Sequence, residues 1–367
     1  MEWRDKRVVL TLDAGGTNFV FGAMRGGDPC VEPHSRPSMG HDLKACLASI
    51  QEGFAEVLAQ AGSAAAISFA FPGPADFPHG IIGDLSNLPG FRGGVPLGPM
   101  LEAHFGIPVF INNDGDLFAY GEAIGGLLPA VNRALEEAGS PKRFRNLFGA
   151  TFGTGFGGGL CHDGQLYLGD NSAGAEIWIS RHKLLRQSFA EEGVSIRAVR
   201  RVYAEEAGMP LAEVPEPKQL FEIAMGRAEG HQAAAREAFR RLGEVAGDAL
   251  AQAVTLTDAL VVIGGGLSGA ATLFLPALVK EMNAPLLTVG GQPVSRTELT
   301  VFNLEDEAER QVFLKGEVSQ VPVPGTDHTV PYDAFKRTGV GLSRLGTSAA
   351  TALGAYAYAL RRLGSAP

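Results

Sequence analysis

Three glycine-rich turns, each directly after an apolar run, constrain this chain more than any other feature. They read DAGGTN (13–18), GTGFGGG (153–159) and GGGLSG (264–269). Glycine admits positive φ and close backbone approach, and successive N–H groups in such a turn make a nest for an anion. Any hairpin can use glycine. Three such turns at strand ends, one of them carrying Asp13, favour phosphate binding. Gly153-Gly155-Gly158 and Gly264-Gly266-Gly269 both satisfy G-x-G-x-x-G, but neither has the dinucleotide context. The first runs on into a strand. The second is followed by the strand-like PLLTV, which ends in Gly-Gly with no acid for a ribose hydroxyl. No glycine precedes Lys-Ser or Lys-Thr, so a P-loop is excluded.

The pattern around the turns is mixed α and β. RVVLTLDAGGTNFVFGAM predicts a hairpin, and HDLKACLASIQEGFAEVLAQAG carries apolar residues at helical spacing and ends in glycine. A second hairpin begins near Leu147. Helices follow to about Thr257, and then DALVVIGGGLSGAATLFLPALVKEM reads as strand, turn and helix. TELTVFNL and RQVFLKG read as short strands, and TSAATALGAYAYALRRL as a closing amphipathic helix. Two segments that each open on a hairpin around a glycine turn predict two α/β halves with a cleft between them.

Composition narrows the partners. With 45% hydrophobic and 19% charged residues the chain is globular, and its net charge of −9 argues against nucleic acid or an anionic membrane. Three widely spaced cysteines, Cys30, Cys46 and Cys161, point to a reducing compartment and have no zinc-site spacing. No run approaches the roughly 20 apolar residues of a membrane helix, and the N-terminus lacks a signal-peptide pattern. A cytoplasmic location is expected.

NNDGDLFAYGE (112–122) follows the apolar run IPVFI. Asn, Asp and Gly are ordinary turn residues, so these letters alone leave Asp114 open as a turn residue or a catalytic base. An EF-hand register fails, because it puts Ile111 at the first ligand position and lacks the central glycine.

Taken together, the motifs resemble the ROK family of bacterial sugar kinases in the actin–hexokinase superfamily. LDAGGTN is similar to its first phosphate motif, FPGPADFPHG to its Pro-Gly-Pro loop and SNLPGFRGGVPL to its sugar loop. VFINNDGD is similar to the catalytic segment, GTGFGGG to the second phosphate motif and VVIGGGLS to the adenosine motif. The resemblance implies a two-lobed actin/hexokinase-like (ribonuclease H-like) α/β fold with a central cleft. It implies a small domain at 1–115 with a C-terminal helix, 347–367, packing on it. A large domain would span 116–346 and include residues 293–341, an additional β-rich segment that the family pattern does not lead one to expect.

The resemblance also implies residue roles. Asp114 would be the base that takes a proton from a sugar hydroxyl as it attacks the γ-phosphorus of ATP. Gly73, Asn87, Asn113 and Glu176 would bind sugar. Asp13, Gly15, Gly16, Thr17, Asn18, Thr154, Gly155, Phe156, Gly157, Gly265 and Gly266 would bind nucleotide, with Asp13 also organising Mg²⁺ through water. A homodimer is expected, acting on hexose and ATP without nucleic acid or membrane. Glucose is the expected sugar; an N-acetylated amino sugar or fructose is the alternative, as is a non-catalytic sugar-binding regulator. Regulators of the family carry an N-terminal DNA-binding domain, and only twelve residues precede Asp13 here.

The departure from the family lies after the second hairpin, where relatives carry a Cys-rich zinc motif. This chain reads AGAEIWISRHKLLRQSFAEEG, with Ile179 at the zinc His position and no following cysteine. No structural zinc is expected. The loop is expected to be held by packing of Ile177, Trp178, Leu184, Leu185 and Phe189, with His182 at the surface. Glu191 and Glu192 are both candidates for a second sugar-binding acid, and Trp178 suits either the sugar pocket or the core.

Overall fold

The computed structural model describes residues 5–364; 1–4 and 365–367, the extreme ends of the expected N-terminal domain and C-terminal helix, lie outside the described residues. The chain forms two compact units. Unit 1 holds the described residues up to Gly125, Leu166–Gly174 and those from Leu345 on, and unit 2 holds Gly126–Gln165 and Ala175–Arg344. The helix after Asp114 thus falls in unit 1, whereas the sequence reading drew its line at residue 115.

Unit 1 is a three-layer α/β/α sandwich. β1 (Val8–Ala14) pairs antiparallel with β2 (Asn18–Arg25), which also pairs with β3 (Asp28–Pro29) and β4 (His34–Pro37). On its other side β1 runs parallel to β5 (Ala66–Ala70), and β5 parallel to β8 (Val109–Asn112). A small ribbon, β6 (Ala75–Asp76) with β7 (Ile81–Ile82), lies in the loop between them. Alternation along β1 sends Val8, Leu10 and Leu12 to one face and Val9 to the other. The first face packs on α1 (Leu43–Ala61) and α2 (Leu97–Phe105). α1 starts because Asp42 accepts the Ala45 N–H, and it buries Cys46, Ile50, Phe54 and Val57 at helical spacing.

The opposite face is covered by α3 (Asp114–Gly125) and the C-terminal helix, Thr347–Gly364, whose Leu353, Tyr356 and Leu360 pack on Val9, Met24 and Ala66. The two helices cross closely at glycines. A Cβ on Gly121 would overlap the Ala350 carbonyl oxygen, and one on Gly354 the Leu117 oxygen. The Tyr356 hydroxyl ties the helix to the first hairpin, donating to the Asp5 carbonyl and accepting the Gly26 N–H.

Unit 2 begins with α4 (Leu127–Glu137) and the hairpin β9 (Leu147–Phe152) and β10 (Phe156–His162), followed by β11 (Gln165–Tyr167), within which the chain passes into unit 1. α5 (Ile196–Ala207), α6 (Pro217–Ala224) and α7 (Gln232–Thr257) follow, then β12 (Leu260–Gly264) and α8 (Ala271–Met282). β12 runs parallel to β9, and the core joins both to α7 and α8, whose apolar residues recur at three- and four-residue spacing.

The segment expected to be an extra β-rich piece divides. β13 (Leu286–Leu287) and β14 (Pro293–Val294) make a small hairpin, so PLLTV supplies no strand to the main sheet. β15 (Thr300–Asn303) does join that sheet. RQVFLKG is not a strand: it lies in α9 (Glu307–Lys315), because Asp306 caps the helix by accepting the Glu309 N–H and Phe313 alone is buried from it. β16 (Val318–Pro322) and β17 (Thr329–Asp333) form an exposed ribbon. β18 (Arg337–Leu342) returns between β12 and β15, parallel to both. The sheet order is β11-β10-β9-β12-β18-β15. No helix among the described residues is long and apolar enough to cross a membrane.

The Gly121 crossing yields a test. In an open helix Gly→Ala stabilises by up to about 1 kcal/mol. Here the added methyl would meet a main-chain carbonyl that cannot rotate away, and such overpacking costs roughly 1–3 kcal/mol. Gly121→Ala should therefore lower the melting temperature; a rise would refute the close crossing.

Candidate active site

In unit 1 the sequence-predicted residues gather at the carboxyl ends of the parallel strands β1, β5 and β8, the edge where open α/β sheets bind ligands. Asp13 and the turn 15–18 are exposed at the end of β1, Gly73 follows β5, and Asn113 and Asp114 follow β8. Asn87 is exposed in the loop ahead of α2. Ser38 braces the first turn: its Oγ donates to the Gly16 carbonyl at 2.6 Å and its N–H to the Thr17 carbonyl at 2.9 Å.

Asp114 opens α3. Asn113 Oδ1 accepts the Gly115 N–H at 2.8 Å, and Asp114 Oδ1 shares that donor at 2.9 Å. The Asp114 side chain reaches solvent, but enough protein surrounds it that desolvation raises its pKa above the ordinary 3.8; Gly115 opposes the rise and the nearby charge of Asp13 adds to it. Asp13 and Asp114 are thus two carboxylates within electrostatic reach of each other.

In unit 2 the other two turns lie at the carboxyl ends of parallel β9 and β12. Gly265 takes φ +86°, and a Cβ there would run into the Phe152 backbone; Gly266 beside it faces open space. Gly15, Gly16, Gly153 and Gly155 do not adopt left-handed φ, so the expected conformational reason holds for Gly265 and not for them. At the second turn close approach is the reason. A Cβ on Gly155 would lie 2.5 Å from Glu191 Oε2, and one on Gly158 would strike the Ala175 carbonyl. Phe156 is a core residue, stacked edge-on against Phe152 at 5.4 Å, so only its N–H can face a ligand. That N–H already donates to Glu191 Oε2 at 3.0 Å.

Glu176 is exposed, and Trp178 Nε1 donates to its Oε2. Trp178 is half-buried, packed against the core of unit 2 and against Phe189 with ring centroids 5.7 Å apart. The two acids left open by the sequence both pair with Arg197, and Glu191 also closes on the glycine turn.

The loop that follows is held differently from expectation. Leu184 and Leu185 are about 45% exposed and pack little, while Ile177 is buried as expected. His182, expected at the surface, is buried. Its Nδ1 accepts the N–H groups of Leu184 and Leu185 at 3.0 and 3.1 Å, and its burial together with Arg201 lowers its pKa, keeping the ring neutral. Lys183 then pairs with Glu244 on α7 at 2.7 Å and Glu281 on α8 at 2.6 Å, and Glu281 also takes Arg296 at 2.7 Å. A lone His among Arg and Lys gave no hint of burial. Its signal was the following Leu-Leu backbone, which needs an acceptor. Arg197 was likewise missed, since an Arg in a helical run reads as a solvated face.

The sequence model of the ROK family matches residues 9–309, and the chain belongs to that family. A glucokinase from Parabacteroides distasonis ATCC 8503, known by crystal structure, is 53% identical, with 98% of this chain and 99% of that one covered and a TM-score of 0.89. An N-acetyl-D-glucosamine kinase from Vibrio parahaemolyticus serotype O3:K6 is 28% identical over 300 residues, 77% of this chain and 91% of that protein. A ROK family glucokinase from Streptomyces griseus, solved with glucose and AMPPNP, is 19% identical, covers 95% of this chain and 98% of that one at a TM-score of 0.59, and speaks to the fold alone. The fold is that of the ROK sugar kinases, actin/hexokinase-like.

The loop's ion pairs and buried His give a testable outcome. Purified protein should contain no stoichiometric zinc, and chelation should leave its melting temperature unchanged. Lys183→Met should destabilise by roughly 1–3 kcal/mol, between the limits for exposed and buried pairs. One zinc per chain, lost together with stability on chelation, would overturn this.

Proposed function

We propose that this protein is an ATP-dependent hexose kinase that transfers the γ-phosphoryl group to a sugar hydroxyl, with glucose as the preferred sugar. The observation that carries the reading is the pair of solvent-reachable carboxylates, Asp13 and Asp114, at the carboxyl ends of β1 and β8, in a chain of the ROK family. Asp114 accepts the proton of the attacking hydroxyl. Its raised pKa makes it a better proton acceptor than an ordinary aspartate. Asn113 uses Oδ1 to hold the start of α3, which leaves its amide N–H groups to orient a sugar oxygen. Asn87, Gly73 and Glu176 are the other proposed sugar contacts, the last with its carboxylate steadied by Trp178.

The remaining proposed roles divide between the units. Gly15 to Asn18 in unit 1, and Thr154, Gly155, Gly157 and the Phe156 N–H in unit 2, offer main-chain donors to phosphate. Gly265 and Gly266 give the adenosine a flat backbone approach. Mg²⁺ fits the donor set. It is commonly held by one or two carboxylates with substrate phosphates and water, and among the described residues no cluster of three or more ligating side chains offers an all-protein cage. Asp13 would hold it, and the ion would neutralise phosphate charge.

Glucose is favoured over an N-acetylated amino sugar because the 53%-identical relative, matched over its whole length, is a glucokinase. The 28%-identical relative is an N-acetyl-D-glucosamine kinase, which keeps that sugar as the second reading. A cytoplasmic homodimer is part of the proposal.

Two sets of measurements test it. Asp114→Asn should cut turnover on the order of 10²–10⁴-fold with little change in sugar affinity. In the wild type kcat should fall as pH drops through a pKa above 3.8. The raised pKa means the folded state binds the proton more tightly than the unfolded one, so ionised Asp114 costs stability that is regained as pH falls. The Asn variant should accordingly melt no lower than wild type at neutral pH; near-normal turnover would sink the assignment. Second, ADP release with a hexose panel, ATP and Mg²⁺ should rank glucose above N-acetylglucosamine and fructose. The reverse order would replace the sugar, and no turnover with any hexose would favour a regulator.

A further inference from the structure

The second glycine turn and the start of α5 form one anion-binding surface that the protein fills with its own carboxylate. The Ile196 N–H donates to the Gly153 carbonyl at 2.8 Å, which fastens the helix start to the turn, and Ser195 caps the helix. Onto this surface comes Glu191. One oxygen accepts the Phe156 N–H at 3.0 Å and stands where any side chain at 155 would be, while the other takes Arg197 Nη2 at 2.8 Å. Arg197 also binds Glu192 through Nε and Nη2, at 2.9 and 2.7 Å, and its Nη1 lies 3.4 Å from the Thr154 carbonyl of the turn itself. Its side chain is about half exposed.

A carboxylate that bridges a turn amide and a guanidinium has the charge and contact geometry of a phosphate oxygen pair. The amide it occupies is one of those assigned above to phosphate. Glu191 is therefore in competition with the nucleotide, and Arg197 is the one cation hydrogen-bonded to this turn among the described contacts.

We propose that Arg197 is a phosphate-contact residue and that Glu191 is its internal counter-anion. When a polyphosphate arrives, Glu191 leaves the Phe156 N–H and Arg197 exchanges from Glu191 to the incoming phosphate. Glu192 keeps a hold on the guanidinium throughout and limits its swing. No bond is made or broken; one anion replaces another. The inference deepens the kinase reading and rests on it for the identity of the ligand.

The test uses the full chain and two readouts. In steady-state kinetics Arg197→Met should raise KM for ATP about tenfold or more, the scale of a lost charge-assisted hydrogen bond, with KM for hexose changed less than twofold. Arg197→Lys should fall between. In calorimetry inorganic tripolyphosphate should bind wild type weakly, Arg197→Met more weakly still, and Glu191→Gln several-fold more tightly, because the competing charge is gone while the shape remains. Melting curves check that each variant is folded. An unchanged KM for ATP in Arg197→Met overturns the proposal. So does Glu191→Gln acting on hexose KM with tripolyphosphate affinity unchanged, which would place that acid on the sugar. Tripolyphosphate binding needs no turnover, so a chain that phosphorylates no hexose would refute the kinase reading and still leave the Arg197–Glu191 exchange decided by calorimetry.

Discussion

In a parallel sheet all carboxyl ends lie along one edge, and there the backbone runs out of ladder partners and must turn. In unit 1 that edge collects the ends of β1, β5 and β8, and in unit 2 those of β9, β12, β18 and β15. Residues distant in sequence, such as Asp13 and Asp114, meet because parallel pairing brings their strand ends together. The sheet also fixes them. β1 is buried nearly throughout between α1 on one face and the C-terminal helix on the other, so the carboxylate at its end stands on a rigid support. If that pairing slipped by one residue, every side chain on the strand would change face.

Holding charge at these ends has a cost that shows in Asp114. Surrounding protein and a neighbouring carboxylate both disfavour its ionised form, which is the form a proton acceptor needs. The fold tolerates this because α3 is secured elsewhere, by close crossing at Gly121 and by Asn113 at its start. At the second glycine turn the opposite problem arises. The Phe156 N–H and the Arg197 guanidinium both present positive charge there, and Glu191 accepts from both.

The loop after the second hairpin is held by polar side chains rather than by the leucines within it. A buried neutral imidazole can accept two N–H groups and shape a turn, and His182 does this. A lysine reaching two carboxylates on neighbouring helices can pin the same loop, as Lys183 does. Neither contact of Lys183 is local in sequence, since its partners on α7 and α8 lie some sixty and a hundred residues further on. The leucines that looked like the apolar anchor stay largely in water.

What the sequence determined by itself was the kind of element at each place and the order of the motifs. Strand and helix periodicity and glycine turns after apolar runs act over a few residues, so they can be read along the chain. The order of six motifs was enough for the family. Where a local pattern was ambiguous the reading failed: RQVFLKG has too few residues to tell period 2 from period 3.6, and the cap at Asp306 made it a helix. What only the tertiary structure decided was which groups face each other across the sheet edges and helices. Burial of His182, the division of labour between Glu191 and Glu192, the reach of Arg197 to Thr154 and the raised pKa of Asp114 all depend on neighbours contributed by other elements. Desolvation and hydrogen-bond partnership are properties of a place in the fold, and a linear spacing does not encode them.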